Sequence, residues 1–358
     1  MPFGMVIAYP ARQALAKWPA GSASKATWLR CLNLTRPATN GSQRRYLIKM
    51  QHYQSLDPVK LKRSWLTIGS FDGVHLGHQQ ILKQLVNGAR AAQKPSVVVT
   101  FFPHPAVVLG KGTNGGYLST PEERAELLGA CGVDVVITLP FTRELAAISA
   151  LDFMEMLQDH LGISHLLVGY DFALGRGREG NVERLREIGL ELGYQLEMMK
   201  PVEFDGSPVS SSLIRRLIRS GDVEAAARLL GRRYTVEGLV VHGDGRGKAL
   251  GFPTANLETW QEQVMPVYGV YTTWAWVDGV RHPSVSSFGL RPTFKTDSTV
   301  ARLETYLMNY SGDLYGKSIR LEFVAYLRPE LRFESVDALI EQMNRDTIQS
   351  LEVLGNER

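Results

Sequence analysis

From about residue 61 onward, short apolar runs alternate with stretches whose apolar positions recur every three to four residues. The runs at 65–68, 96–102, 133–139 and 165–169 read as buried strands, and 78–92, 121–131 and 149–161 as amphipathic helices. Strands alternating with helices imply βαβ units around a parallel sheet, which gathers ligands at the carboxyl ends of its strands. Near Gly231 the pattern changes. Short strands at 234–242, 269–277, 300–308 and 318–326, separated by glycine-rich turns, predict an all-β barrel or sandwich, closed by an amphipathic helix over 336–354. A helix over 212–230 lies between the halves. The chain therefore divides into a leader at 1–44, an α/β domain at 45–230 and a β domain at 231–358. Its length of 358 residues also calls for two cores.

The leader shows neither period and is rich in Ala, Ser, Thr, Pro and Arg. Residues 1–56 hold eight Lys or Arg and no acid, which leaves 32 basic against 36 acidic residues in the rest. The formal charge of +4 thus belongs to the leader, and the mildly acidic body lacks the electrostatic footprint of a duplex-binding protein. Three readings of the leader stay open: an organelle transit segment, a disordered basic tail, or an extension of the gene model ahead of a later start. No apolar run approaches the roughly 18 residues of a membrane helix. Cys31 and Cys131 stand in no metal-ligand or redox spacing, which excludes a disulfide scaffold and a structural zinc site.

Two regions carry candidate chemistry. The first predicted strand runs into Gly69, Phe71, Asp72, His75, Gly77 and His78, placing two histidines three apart at a helix start. A helix N-terminus offers free N–H groups and a positive dipole end to an anion, and Gly77 would let a phosphate approach the backbone. A second segment, Thr100-Phe101-Phe102-Pro103-His104-Pro105, ends the next strand on the same sheet edge. Gly169-Tyr170-Asp171-Phe172 ends a later one, and Ser210-Ser211-Ser212 opens a helix with Arg215 one turn in. Ser210 alone reads equally well as a helix cap. Three hydroxyls with an arginine beyond them suit an anionic group better than a cap requires.

In the second half, residues 242–256 include Gly243, Gly245, Gly247, Lys248 and Gly251, a loop able to present successive N–H groups to phosphates. Thr254 and Asn256, two apart on an extended segment, point the same way, and hard oxygen ligands of this kind suit Mg²⁺ held together with substrate phosphates. Glu304 alternates with Arg302 and Tyr306. It reads either as a solvated strand residue or as the carboxylate that a kinase needs to accept a hydroxyl proton.

Together these segments resemble the bacterial bifunctional riboflavin kinase/FMN adenylyltransferases, also called FAD synthetases, over residues 64–353. The resemblance implies a Rossmann-like nucleotidylyltransferase domain of the HxGH type, an all-β riboflavin kinase barrel and a C-terminal helix. It implies that ATP is co-substrate in both steps, that Mg²⁺ is the metal, and that riboflavin, FMN and FAD are substrates and products. His75 and His78 would then stabilise charge at the α-phosphate of ATP. Gly69, Phe71, Asp72, Gly77, His104, Ser211, Ser212 and Arg215 would surround the phosphates, and Asp171, Phe172 and Arg291 would serve the flavin. In the barrel, Thr254 and Asn256 would bind Mg²⁺, Glu304 would be the base, and Gly245, Gly247, Lys248 and Gly251 would cradle ATP.

This sequence departs from the family's pattern at Leu174, Ser212, Leu213, Ser287, Tyr306 and Asn309. Small molecules are the expected partners, without nucleic acid or membrane, in the cytoplasm, with a homo-oligomer left open. The rivals are an enzyme with one half decayed and a flavin-responsive regulator or RNA-binding protein using the basic leader.

Overall fold

The computed structural model describes residues 50–110, 112, 116–204, 206–243, 247, 250–292 and 299–356. The expectations for the leader at 1–44 lie outside them, as do Gly245 and Lys248.

Six parallel strands build the first half: β1 (Gln51–Tyr53), β2 (Ser64–Ile68), β3 (Ser96–Phe102), β4 (Val135–Pro140), β5 (Ile163–Gly169) and β6 (Gln195–Met199). Their order in space is β1-β4-β3-β2-β5-β6, so the chain moves outward from β2 in both directions. The crevice at the carboxyl ends of β2 and β5 is therefore the topological switch point, where open α/β sheets bind ligands. Side chains alternate between the two faces. Val97 and Val99 of β3 pack in one core with Leu66, Ile68 and helices α5 (Ala150–Leu161) and α6 (Val182–Leu192). Val98 packs in the other with α1 (Leu76–Ala91) and α3 (Pro121–Ala130). Burial on both faces explains why these strands are continuous apolar runs. The single turns α2 (Pro105–Val108) and α4 (Arg143–Ala146) and the hairpin β7 (Glu203–Phe204) with β8 (Ser207–Pro208) complete this half.

The helix expected over 212–230 is two, α7 (Ser211–Arg219) and α8 (Val223–Leu230). Gly221 takes a positive φ of +85° between them, and the Asp222 carboxylate accepts from the Ala225 N–H at 2.9 Å to start α8. The Ser-Gly-Asp sequence that breaks the helix was visible, but the apolar period continues across it.

The second half is a closed barrel rather than a sandwich. Its antiparallel strands are β9 (Tyr234–Val241), β10 (Thr254–Thr259), β11 (Gly269–Val277), β12 (Val280–Pro292), β13 (Thr299–Leu307) and β14 (Ser318–Arg328), in the order β10-β13-β12-β11-β14-β9. Its interior mixes Tyr271, Leu321 and Phe323 with a fully buried hydroxyl ladder. Thr273 Oγ1 lies 2.7 Å from Ser284 and 2.8 Å from Ser286 Oγ, which donates to Thr305 at 3.0 Å. The final helix, α9 (Val336–Gly355), covers the outside, tied by Ser350 to Thr272 and by Asp346 to Arg328.

The halves share a core. Ile214 and Ile218 of α7 and Val223, Ala226 and Leu229 of α8 pack in one cluster with Val236, Tyr271 and Phe323 of the barrel. Among the described residues no helix is long and apolar enough to cross a membrane.

Candidate active sites

The loop from β2 to α1 is strained. Phe71 and Val74 adopt positive φ of 46° and 39° around Gly73, a conformation that a β-branched residue avoids. Such positions cost about 1–3 kcal/mol each and persist only where the surroundings over-determine them. Asp72 supplies that determination. Its carboxylate, 1% exposed, accepts from the Leu118 and Ser119 N–H groups at 3.0–3.2 Å and from Arg124 at 3.4 Å and Arg215 at 2.5 Å. From the barrel side, Arg232 donates to the Gly73 carbonyl at 2.8 Å. Taking away the shared carboxylate would leave two buried cations unpaired, a loss of order 3–5 kcal/mol.

His75 caps α1, its Nδ1 accepting from the His78 N–H at 3.4 Å. Its ring stacks on that of His78, with centroids 3.6 Å apart. Gly77 serves this arrangement: a β-carbon there would lie 3.1 Å from the His75 ring. Burial pushes the His75 pKa down to about 4, opposed by Asp72 and assisted by Arg232 and Arg215. Burial, with His75 beside it, pushes His78 well below the usual range, and burial lowers His104. All three are neutral at pH 7. A backbone N–H can only donate, so the His75 Nδ1 carries a lone pair and the proton sits on Nε2. The same holds for His104, whose Nδ1 accepts from the Ala106 N–H at 3.1 Å. The buried Nδ1 of His78 has no hydrogen-bond partner, which an anion's oxygen or a water would supply.

A cavity of about 870 Å³ opens here, lined by Gly69, Phe71, His75, Gly77, His78, His104, Asp171, Phe172, Ser211, Ser212 and Arg215. The fold thus brings the predicted residues of the first half together at the switch point. Their uses differ from a phosphate cradle at Asp72, Ser210, Ser211 and Arg215, the last spending Nε on the Gly116 carbonyl and a terminal nitrogen on Asp72. The Asp72 carboxylate is committed beneath the cavity. Ser210 is the α7 cap, accepting from the Leu213 N–H at 3.3 Å, and Ser211 donates to the Asp72 carbonyl at 3.0 Å. Ser212 is exposed at the cavity. Leu174 and Leu213, the departures from the family's pattern, pack against the hydrophobic cores.

In the barrel, strand register makes the site. Asn256 of β10 stands opposite Glu304 of β13, which stands opposite Ser287 of β12 on its other side. Thr254 is paired with Tyr306 two positions along, on the same face. Ala255, Leu257, Leu303 and Thr305 alternate inward, so Thr254, Asn256 and Glu304 face outward. Gly243 and Gly247 come close to two of them. A β-carbon at Gly243 would collide with the Asn256 amide, and one at Gly247 would lie 3.2 Å from Thr254 Oγ1. Asn256 Oδ1 is buried with no hydrogen-bond partner, an oxygen acceptor left for a cation or water. Among the described residues no three or more His, Cys, Asp or Glu gather to hold a metal ion. Bound Mg²⁺ would thus rely on Thr254 and Asn256 together with phosphate oxygens, and that donor set fits it. Gly251 turns the loop at φ +84°, and Arg291 lies on β12.

The family model for FAD synthetase matches residues 57–213 and that for riboflavin kinase residues 230–354. A bifunctional riboflavin kinase/FMN adenylyltransferase of Pseudomonas fluorescens is 40% identical over 281 residues, covering 78% of this chain and 89% of that protein. The chain belongs to the bifunctional riboflavin kinase/FMN adenylyltransferase family. The family's protein from Escherichia coli (strain K12) is 36% identical over 292 residues, covering 81% of this chain and 92% of that one. A solved structure from Streptococcus pneumoniae, described as a macrolide-efflux protein, matches with a TM-score of 0.77 at 28% identity, covering 84% of this chain and 98% of that one. Both parts of the family's architecture are thus matched on this chain.

Motif reading missed Arg124, Tyr117 and Arg232. Arg124 follows two glutamates at a helix start and looks like solvated charge, yet it is fully buried. No local signal marks it.

The depressed His75 pKa makes stability depend on pH. Between pH 6.5 and about 4 the unfolded chain binds a proton that folded His75 refuses, so stability is full above 6.5 and falls on acidification through this window. Urea midpoints between pH 7 and 5 should therefore fall less steeply in His75→Asn than in the parent protein.

Proposed function

We propose that this chain makes FAD from riboflavin in two ATP-dependent steps, the first in the barrel and the second at the switch point of the sheet. What supports the reading is that one chain holds two separate groupings suited to this chemistry: a stacked pair of neutral histidines at a helix N-terminus, and Asn256 in register with Glu304. Family membership over both halves supports it. In this reading residues 45–230 form the adenylyltransferase, 231–358 the kinase, and the chain acts on small molecules in the cytoplasm.

In the first step Glu304 accepts the proton of the ribityl 5′-hydroxyl as its oxygen attacks the γ-phosphorus of ATP, releasing ADP. Thr254 and Asn256 would hold Mg²⁺ through oxygen, and the ion would supply charge neutralisation at the phosphates. In the second, a phosphate oxygen of FMN attacks the α-phosphorus of a second ATP in line, and pyrophosphate leaves. There is no covalent work for the protein; positioning and preorganised donors lower the barrier. His75 and His104 present Nε2–H donors to phosphate oxygens, His78 offers its unpartnered ring nitrogen, and Ser212 closes the other side, with Arg215 held behind it by Asp72 and the Gly116 carbonyl. Asp171 and Phe172, at the end of β5, serve the flavin of the adenylylation step. Arg291 serves riboflavin in the barrel.

The test is a chromatographic time course with riboflavin, excess ATP and Mg²⁺. FMN should appear first and be converted to FAD, and chelation of the metal should stop the first step. Arrest at FMN would refute adenylylation, and unchanged riboflavin would refute both activities.

A further inference from the structure

Tyr117 belongs to none of the sequence motifs, yet it is only 2% exposed, and with its neighbours Gly116, Leu118 and Ser119 it ties three groups of the adenylylation site to the barrel half. Its N–H donates to the Glu262 carbonyl at 2.8 Å, and its carbonyl accepts from the Val264 N–H at 2.9 Å. This is a short parallel bridge onto the segment that follows β10. Its ring stacks on Trp260 with centroids 5.1 Å apart and planes 28° apart. Its hydroxyl accepts from the His104 N–H at 2.9 Å. The neighbouring residues complete the grip: the Gly116 carbonyl accepts from Arg215 Nε at 2.9 Å, and the Leu118 and Ser119 N–H groups hold Asp72.

The bond to His104 has a specific use. His104 caps α2, a single turn with no fully buried residue of its own, so side-chain packing constrains it less than it does the longer helices. The N–H of a residue in that position has no partner inside the helix. With Nδ1 committed to the Ala106 N–H and the backbone N–H committed to Tyr117, the His104 ring has its remaining Nε2–H donor set in one direction.

We propose that Tyr117 is a positioning residue for adenylyl transfer, its hydroxyl, anchored through Trp260 of the barrel half, setting where His104 meets the phosphates. This rests on the reading of His104 given above. A donor aimed at charge that develops in the transition state acts on kcat more than on binding, and a displacement of about 1 Å can cost roughly 10²-fold.

The experiment is steady-state kinetics of both steps in the full chain carrying Tyr117→Phe, which keeps the ring on Trp260 and the backbone bridge. Adenylylation of supplied FMN should lose about 10-fold in kcat with less than a twofold change in KM for ATP or FMN, while riboflavin phosphorylation is unchanged. His104→Ala should lose at least as much, and the double variant should be no slower than His104→Ala, because the two residues act as one unit. A parent-like kcat in Tyr117→Phe beside a slow His104→Ala would overturn the proposal. So would additive losses, a change confined to KM, or equal losses in both steps. Full activity of His104→Ala would overturn the underlying reading of that histidine, and the positioning role with it.

Discussion

Glu304→Gln will slow riboflavin phosphorylation by about 10²- to 10⁴-fold and leave the conversion of supplied FMN to FAD unchanged. The substitution keeps size and removes the ability to take a proton. Strand pairing makes the effect local: Glu304 is held between Asn256 and Ser287 by a ladder that the side-chain change does not touch. Asn256→Ala should also stop FMN formation, by a different route, since it deletes the buried oxygen that otherwise lacks a partner. Excess Mg²⁺ should partly restore Asn256→Ala and do nothing for Glu304→Gln. Chromatographic assay of each step, with riboflavin or with FMN as the starting flavin, reads both. Loss of both steps in a folded protein would contradict the assignment of two sites.

The converse substitution should spare the kinase. His75→Asn is expected to lower kcat for FMN adenylylation by about 10²- to 10³-fold, the usual loss when one preorganised donor is removed. Asparagine is a good helix cap, so it restores the bond that His75 Nδ1 makes to the start of α1 and isolates the loss of the Nε2–H donor. His75→Ala loses the cap as well and should add about 1 kcal/mol of destabilisation. Unfolding midpoints separate the two effects. Equal adenylylation rates in His75→Asn and the parent would show that this ring is only a cap.

Why some features were legible and others were not follows from how each is encoded. The parallel strands announce themselves because both faces are buried, as in Val97 to Val99. The edge strand β6 and helix α6 do not, since Leu190 is 84% exposed on α6 and β6 exposes Gln195 and Met198. Strand alternation alone places Glu304 with Arg302 and Tyr306, but only the register of β10 against β13 brings it opposite Asn256. Asp72 shows the limit most clearly. Its place beside the histidines suggested a phosphate contact, whereas its partners, Leu118, Arg124 and Arg215, lie 46 to 143 positions away and cannot be read locally. The candidate site residues cluster in motifs; the residues that hold them in place are scattered.

The short junction between the halves bears on how FMN moves from one site to the other. Helix α8 ends at Leu230 and β9 begins at Tyr234, and of the residues between, Arg232 is bonded to the Gly73 carbonyl. A tether this short and pinned at its middle has no reach. Within one chain, carriage of FMN by a swinging domain, as a carrier arm delivers its cargo, is closed to this architecture.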